Sequence, residues 1–233
     1  MRAQSLTLAA AGAALLVPAT LPAAAAVPPR QHEATARSEG SVTAAALLDR
    51  VRSCDQVSRG RYRTDESARA TVPVCGTRDA VFWKADLDID CDGRPTARCN
   101  RRTDPLFSAA TAFQQSDGRH LSAEALPYIV IPQPSGIWNH TGSGVRGGSV
   151  AAVVYKGRVV YAVVGDTGPR GIIGEASYGT ARALGIDADP QTGGVPSGVT
   201  YIVFRDSKVR PIENHRAAVA TGERLAKAFT GTR

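Results

Sequence analysis

The 233-residue chain is poor in aromatic residues, at 6%, so its two tryptophans, Trp83 and Trp138, each call for an explanation. It has no cysteines in a close C-x-x-C pair, which argues against a structural zinc site. It has no unbroken apolar run of about 20 residues, the length a membrane-spanning helix needs. The one long apolar stretch, Leu6 to Leu21, is interrupted by Pro18 and followed by Pro22. The formal charge is +7 with 28 Lys and Arg, but the basic residues are dispersed and no aromatics interleave them. That pattern is not the stripe of a nucleic-acid binder, and no nucleic-acid partner is expected. No internal repeat is present.

What is present begins with export. Arg2, the Ala-rich apolar stretch and small residues at Ala24 and Ala26 read as a signal peptide over residues 1–26, cut before Val27. Residues 27–40 are polar, contain Pro and lack periodicity, so they read as a flexible linker. Residues 41–233 are expected to form one domain in a secreted, extracellular, monomeric protein with no membrane attachment after signal removal. Four cysteines, Cys54, Cys75, Cys91 and Cys99, suggest two disulfides in an exported chain. Three pairings are possible, and the spacing favours Cys91–Cys99 with Cys54–Cys75.

Periodicity predicts a helix from about Ser41 to Ser53, capped by Ser41 or Thr43. Strands are expected at Ala80–Lys84 continuing through the acidic run, at Leu126–Ile131, Ser149–Tyr155, Arg158–Val164 and Val199–Phe204. Lys156-Gly157 between two apolar runs is a hairpin signal. Short helices are expected over Glu175–Leu184 and Asn214–Phe229. The chain is therefore mainly β with a few short helices.

Asp86, Asp88, Asp90 and Asp92 alternate with Leu87, Ile89 and Cys91. In a strand this puts the apolar set on one face and the carboxylates on the other. Carboxylates this close repel one another, so something must offset them. Asp88-x-Asp90-x-Asp92-Gly93 matches the start of a calcium loop, but the twelfth position is Cys99 rather than Glu. The face could instead bind a cationic polymer through its ammonium groups. Alternatively, some of these residues are structural, bonded to backbone or to Arg94, Arg98 or Arg101.

Residues 161–184 read YAVVGDTGPRGIIGEASYGTARAL. Asp166 is expected in a tight turn after a strand, and Glu175 at a helix start. Two carboxyl groups facing each other across a groove are the requirement for glycosidic cleavage. Spacing alone leaves a second reading, with Asp166 closing an Asx-turn and Glu175 complementing a helix dipole.

With Asp86-Leu-Asp-Ile-Asp-Cys-Asp-Gly93, Gly165-Asp-Thr167 and Ile173-Gly-Glu-Ala-Ser177 together, the chain resembles the family 75 glycoside hydrolases, the fungal-type chitosanases, over roughly residues 50–230. The resemblance implies endo-hydrolysis of β-1,4-linked glucosamine in chitosan with inversion, without a cofactor or a metal. It places the essential pair on Asp166 and Glu175. The stretch Gly165–Leu184 is also similar to double-psi β-barrels, as in lytic transglycosylases and expansin-like proteins. That implies a six-stranded double-psi β-barrel-like core with peripheral helices. It suggests Asp166 as acid and Glu175 as base, an order the residues themselves leave open. Thr167 is expected to orient Asp166. Asp86, Asp88, Asp90, Asp92 and Trp138 are expected to bind substrate, Trp138 as a stacking platform on an exposed loop. Trp83 and Tyr128 are further stacking candidates for which a core role is at least as well founded. No histidine is assigned a role. The competing functions are a peptidoglycan-cleaving lytic transglycosylase and a non-catalytic expansin-like binding module.

Overall fold

A computed structural model describes residues 38–232. The expected signal peptide and most of the expected linker lie outside the described residues. Ser38–Gly40, at the linker's end, lie against the domain: the Glu39 N–H donates to the Val159 carbonyl (2.8 Å), and Glu39 accepts from Tyr161 N–H (2.7 Å) and faces His215 Nε2 (2.7 Å).

The core is a closed barrel of six strands. These are β3 (Ala80–Asp90), β4 (Tyr128–Pro132), β5 (Val150–Tyr155), β6 (Arg158–Gly168), β7 (Glu175–Ser177) and β8 (Val195–Phe204). Round the barrel they run β3-β7-β4-β6-β5-β8, and β8 pairs back onto β3 to close it. Two short strands, β1 (Asp55–Gln56) and β2 (Cys75–Gly76), add to the β3 side. The pairing is mixed: β3–β7 and β4–β6 are parallel, the rest antiparallel.

Alternation sorts the side chains into two cores. One set, including Val81, Trp83, Leu87, Ile129, Ile131, Val153, Val164, Tyr201 and Val203, fills the barrel. The other, including Phe82, Tyr128, Val130, Val154, Tyr161, Val163, Ile202 and Phe204, lies outside it. There it is covered by α1 (Ala44–Asp49) and α3 (His215–Thr230) through Leu47, Val51, Ala218, Ala226 and Phe229. Burial on both faces is why β5 and β6 read as near-continuous apolar runs. The β5–β6 hairpin turns on Lys156 and Gly157, both at positive φ, as its two-residue signal predicts.

The helix expected from Ser41 is shorter and starts at Ala44, with Thr43 accepting from Ala46 N–H as its cap. The helix expected from Glu175 starts three residues later, at Tyr178. Glu175–Ser177 form β7 instead, and Ser177 caps α2 (Tyr178–Leu184). The strand expected to end at Val164 runs on to Gly168. The disulfides are Cys54–Cys75 and Cys91–Cys99, the pairing the spacing favours. No helix among the described residues is long and apolar enough to cross a membrane.

Candidate active site

The site is a row across four neighbouring strands, three of which contribute a carboxylate. Asp88 of β3 is level with Glu175 of β7, Glu175 with Val130 of β4, and Val130 with Asp166 of β6. Partners in register point to the same face of a sheet, so these side chains share the outer face. Asp166 and Glu175 are separated by two inter-strand spacings, roughly 9.5 Å between backbones.

A bulge brings Asp166 into that row. β4 pairs with β6 as Ile129↔Val164 and then Val130↔Asp166, leaving Gly165 as the extra residue. Without it Asp166 would fall level with Ile131, whose side chain points into the barrel; a one-residue shift exchanges the faces. Position 165 has no room for a side chain, since a Cβ would lie 2.6 Å from Tyr128 and 2.8 Å from Leu121. Asp166 therefore sits in a bulged strand, not in the turn its sequence suggests.

Asp166 is 7% exposed, and its Oδ1 accepts two backbone hydrogen bonds, from Ala112 and Thr167, each 2.7 Å. Burial raises its pKa, while the two N–H groups and nearby His120 oppose that rise by favouring the ionised form. The contact of Thr167 with Asp166 is made by its backbone amide; its side chain belongs to the Ile131 row.

Glu175 has a different setting. It accepts no hydrogen bond among the described residues. Burial first, then the charges of Asp88, Asp92, Asp166 and Asp104, push its pKa up to about 8. Its Oε2 occupies the space beside Gly168, where a Cβ would approach to 3.3 Å. The strand that carries it is fixed by Ser177, whose hydroxyl donates to Leu126 O (2.8 Å) and accepts from Tyr128 N–H (3.0 Å) and Thr180 N–H (3.2 Å).

The acidic strand divides more finely than alternation implies. Leu87 points into the barrel as expected, but the strand ends at Asp90, and Cys91 joins the outer core through its disulfide. Asp88 is exposed. Asp86 and Asp90 are 6% and 5% exposed. Asp86 stands at a register shift between Ala85 and Leu87, with Oδ1 buried, unpartnered and pressed against Gly174. Asp90 accepts from Asp92 N–H (2.5 Å), and Asp92 from Ser108 N–H (2.7 Å). Burial, with neighbouring carboxylates, lifts Asp86 to about 7 and Asp92 to about 6, and raises Asp88 and Asp90.

Two members were not legible in the sequence. Asp65 adds its charge at Asp86 and Asp88, and Asp104 at Asp92 and Glu175. Both lie in irregular segments far from the motifs, and nothing local marks them. None of these eight carboxylates forms an ion pair among the described residues. The expected alternative of pairing with Arg94, Arg98 or Arg101 is not what the structure has. No group of three or more His, Cys, Asp or Glu among the described residues is arranged to hold a metal.

The expectation of an exposed Trp138 is corrected, and Trp83 and Tyr128 take the core role, the better-founded of their two readings. Trp138 is 5% exposed, edge-on to Trp83 (6.3 Å) and His140 (6.1 Å), and donates its indole N–H to Ser143 (2.9 Å). It completes the barrel-filling core and offers no free face for a sugar. Trp83 stacks on Tyr201 (5.2 Å), and Tyr128 is fully buried, so both are core residues.

A protein-family model described as fungal chitosanase of glycosyl hydrolase group 75 matches residues 87–230, a span that includes Asp166 and Glu175 but not Asp65 or Asp86. "Endo-chitosanase C" of Aspergillus oryzae is 33% identical over 134 residues, covering 55% of this chain and 32% of the relative. "Endo-chitosanase" of Aspergillus fumigatus is 28% identical over 173 residues, covering 68% and 73%. "Endo-chitosanase B" of Aspergillus oryzae is 30% identical over 134 residues, covering 54% and 56%. The chain thus spans about a third of the length of the Aspergillus oryzae endo-chitosanase C. With the family match covering more than half of the chain, the conclusion is that it belongs to group 75 of the glycoside hydrolases.

Proposed function

We propose that the protein is an exported endo-chitosanase that hydrolyses β-1,4 bonds between glucosamine units with inversion. The observation that carries the substrate is the unpaired acidic cluster: eight carboxylates lie near one another in a protein whose net charge is +7, and among the described residues none of them is ion-paired with Lys or Arg. A polymer bearing one ammonium group per sugar supplies the missing cations. Two disulfides and the apolar N-terminal stretch support an oxidising, extracellular setting.

The catalytic roles follow from the two environments. Glu175 is the general acid. Surrounded by carboxylates and without a hydrogen-bond donor among the described residues, it holds a proton at neutral pH. Asp166 is the general base, because two backbone N–H groups favour its ionised form. This reverses the order suggested by the barrel analogy. Asp166 takes a proton from a water whose oxygen attacks the anomeric carbon. Glu175 gives its proton to the departing glycosidic oxygen. The bond between that oxygen and the anomeric carbon breaks as the new one forms on the opposite side, and the configuration inverts. A backbone separation of two strand spacings fits the about 6.5–9.5 Å between carboxyl groups that leaves room for the water.

The test is reducing-end release from chitosan, chitin and bacterial cell wall, with NMR of the first product anomer. Cleavage of chitosan with the inverted anomer is expected. Retention of configuration would overturn the two-role assignment, and cleavage of cell wall alone would favour a transglycosylase.

A further inference from the structure

We propose that His120 is a positioning residue for Asp166, acting through the peptide between Thr111 and Ala112. The proposal rests on the reading of Asp166 as the base.

One of the two donors that hold Asp166 is the N–H of Ala112, on a loop 54 residues away in sequence. The base of that loop is tied at Thr111. Thr111 N–H donates to His120 Nδ1 (3.0 Å), and the same nitrogen lies 3.1 Å from the Thr111 carbonyl oxygen. An unprotonated Nδ1 accepts the first contact, and a protonated one donates to the second. The ring therefore holds Thr111 in either protonation state. The Thr111 hydroxyl completes the tie by donating to Phe113 O (2.7 Å) and accepting from Leu121 N–H (3.1 Å). Farther out, the loop is fixed by Gln115 to His120 O (2.7 Å), and Ser116 N–H donates to Glu213 (3.1 Å). A donor carried on a loop stays in place only while the loop does. Among the described residues, His120 is the side chain placed to bond either backbone polar group of Thr111, the residue preceding the donor.

The titratable groups facing Asp166 are His120 from the loop, Asp90 at the end of β3, Asp92 just beyond it, Tyr128 from β4 and Glu175 from β7. Burial opposes its ionisation. The held N–H of Ala112 and that of Thr167 favour it.

The experiment compares His120→Phe, which keeps a ring without nitrogens, with His120→Asn, whose amide can replace both Nδ1 contacts. Two readouts are taken on the full chain: the pH profile of chitosan hydrolysis, and the titration of the Asp166 carboxyl carbon by NMR without substrate. For His120→Phe the Asp166 titration and the acid limb should both move up by roughly half a pH unit or more. kcat should fall below that limb while KM stays within about twofold. His120→Asn should restore most of the wild-type behaviour. An unmoved Asp166 titration in His120→Phe overturns the proposal. So does an equal shift in His120→Asn, which would assign the effect to the imidazole charge rather than the tie. If the wild-type chain does not cut chitosan, the proposed function fails, while the carbon titration still tests the tie. If His120→Phe does not fold, the Asn variant carries the test: loss of the Asp166 titration position there overturns it.

Discussion

Asp166 and Glu175 stand level on β6 and β7, each opposite Val130 of the strand between them. Their spacing is therefore set by the barrel rather than by the loop that joins them in sequence. Asp166→Asn and Glu175→Gln should each reduce chitosan cleavage by about 10²–10⁴-fold, the range general acid–base groups contribute. Circular dichroism should show both variants folded. A folded variant that keeps near-full activity would remove its residue from the pair.

The two environments predict a bell-shaped pH dependence of kcat/KM. With Glu175 as the proposed acid, active only when protonated, activity should fall as the pH rises through about 8. With Asp166 as the proposed base, the acid limb should be its own. Replacing Asp88, one of the charges that raise Glu175, by Asn should move the basic limb downward. Rate profiles of wild type and Asp88→Asn check this, and an unmoved basic limb would detach it from Glu175.

Stability should run against the charge cluster. Asp86 and Asp92 have folded pKa values of about 7 and 6, above the unfolded value of about 3.9. The folded state then binds more protons than the unfolded one between those values. The contribution to stability is full below about pH 4 and is lost as the pH rises to 6–7. The melting temperature should therefore decline from pH 5 to pH 8, and Asp86→Asn should raise it at pH 8 more than at pH 5. Thermal melts at the two pH values test the sign. Glucosamine oligomers should recover part of the loss by neutralising the row.

Gly168→Ala would put a methyl group 3.1 Å from Val130 Cγ1 and 3.3 Å from Glu175 Oε2. The displaced carboxyl group should lower kcat by about 10–100-fold, since misplacements of about 1 Å have effects of that size. Melting temperature should change little in comparison. Wild-type kcat in this variant would show that Glu175 needs no such space.

Several features were legible along the chain because their causes are local. The β5–β6 hairpin follows from Lys156-Gly157, and α3 is capped by Asn214, whose side chain accepts from Ala217 N–H. The β-rich class and the acidic run at Asp86–Asp92 are likewise matters of alternation and composition. The turn assigned to Asp166 and the helix start assigned to Glu175 failed for one reason. Glycine-rich stretches look like turns, yet here Gly165 serves a bulge and Gly174 a strand entry, demanded by Tyr128 and Asp86 on neighbouring strands. Trp138 looked exposed because polar and glycine residues flank it, but packing against Trp83 draws it inside.

By itself, then, the sequence determined which carboxylates the chain carries near each other, which strands can form and which cysteines can meet, because each depends on neighbours within a few residues or on simple spacing. Only the tertiary structure decided that Asp166 and Glu175 share a face, that Asp65 and Asp104 lie near them, and that one is held by backbone N–H groups while the other has none among the described residues. Those facts arise from strand register, a bulge and a distant loop, which bring together residues that share no local signal.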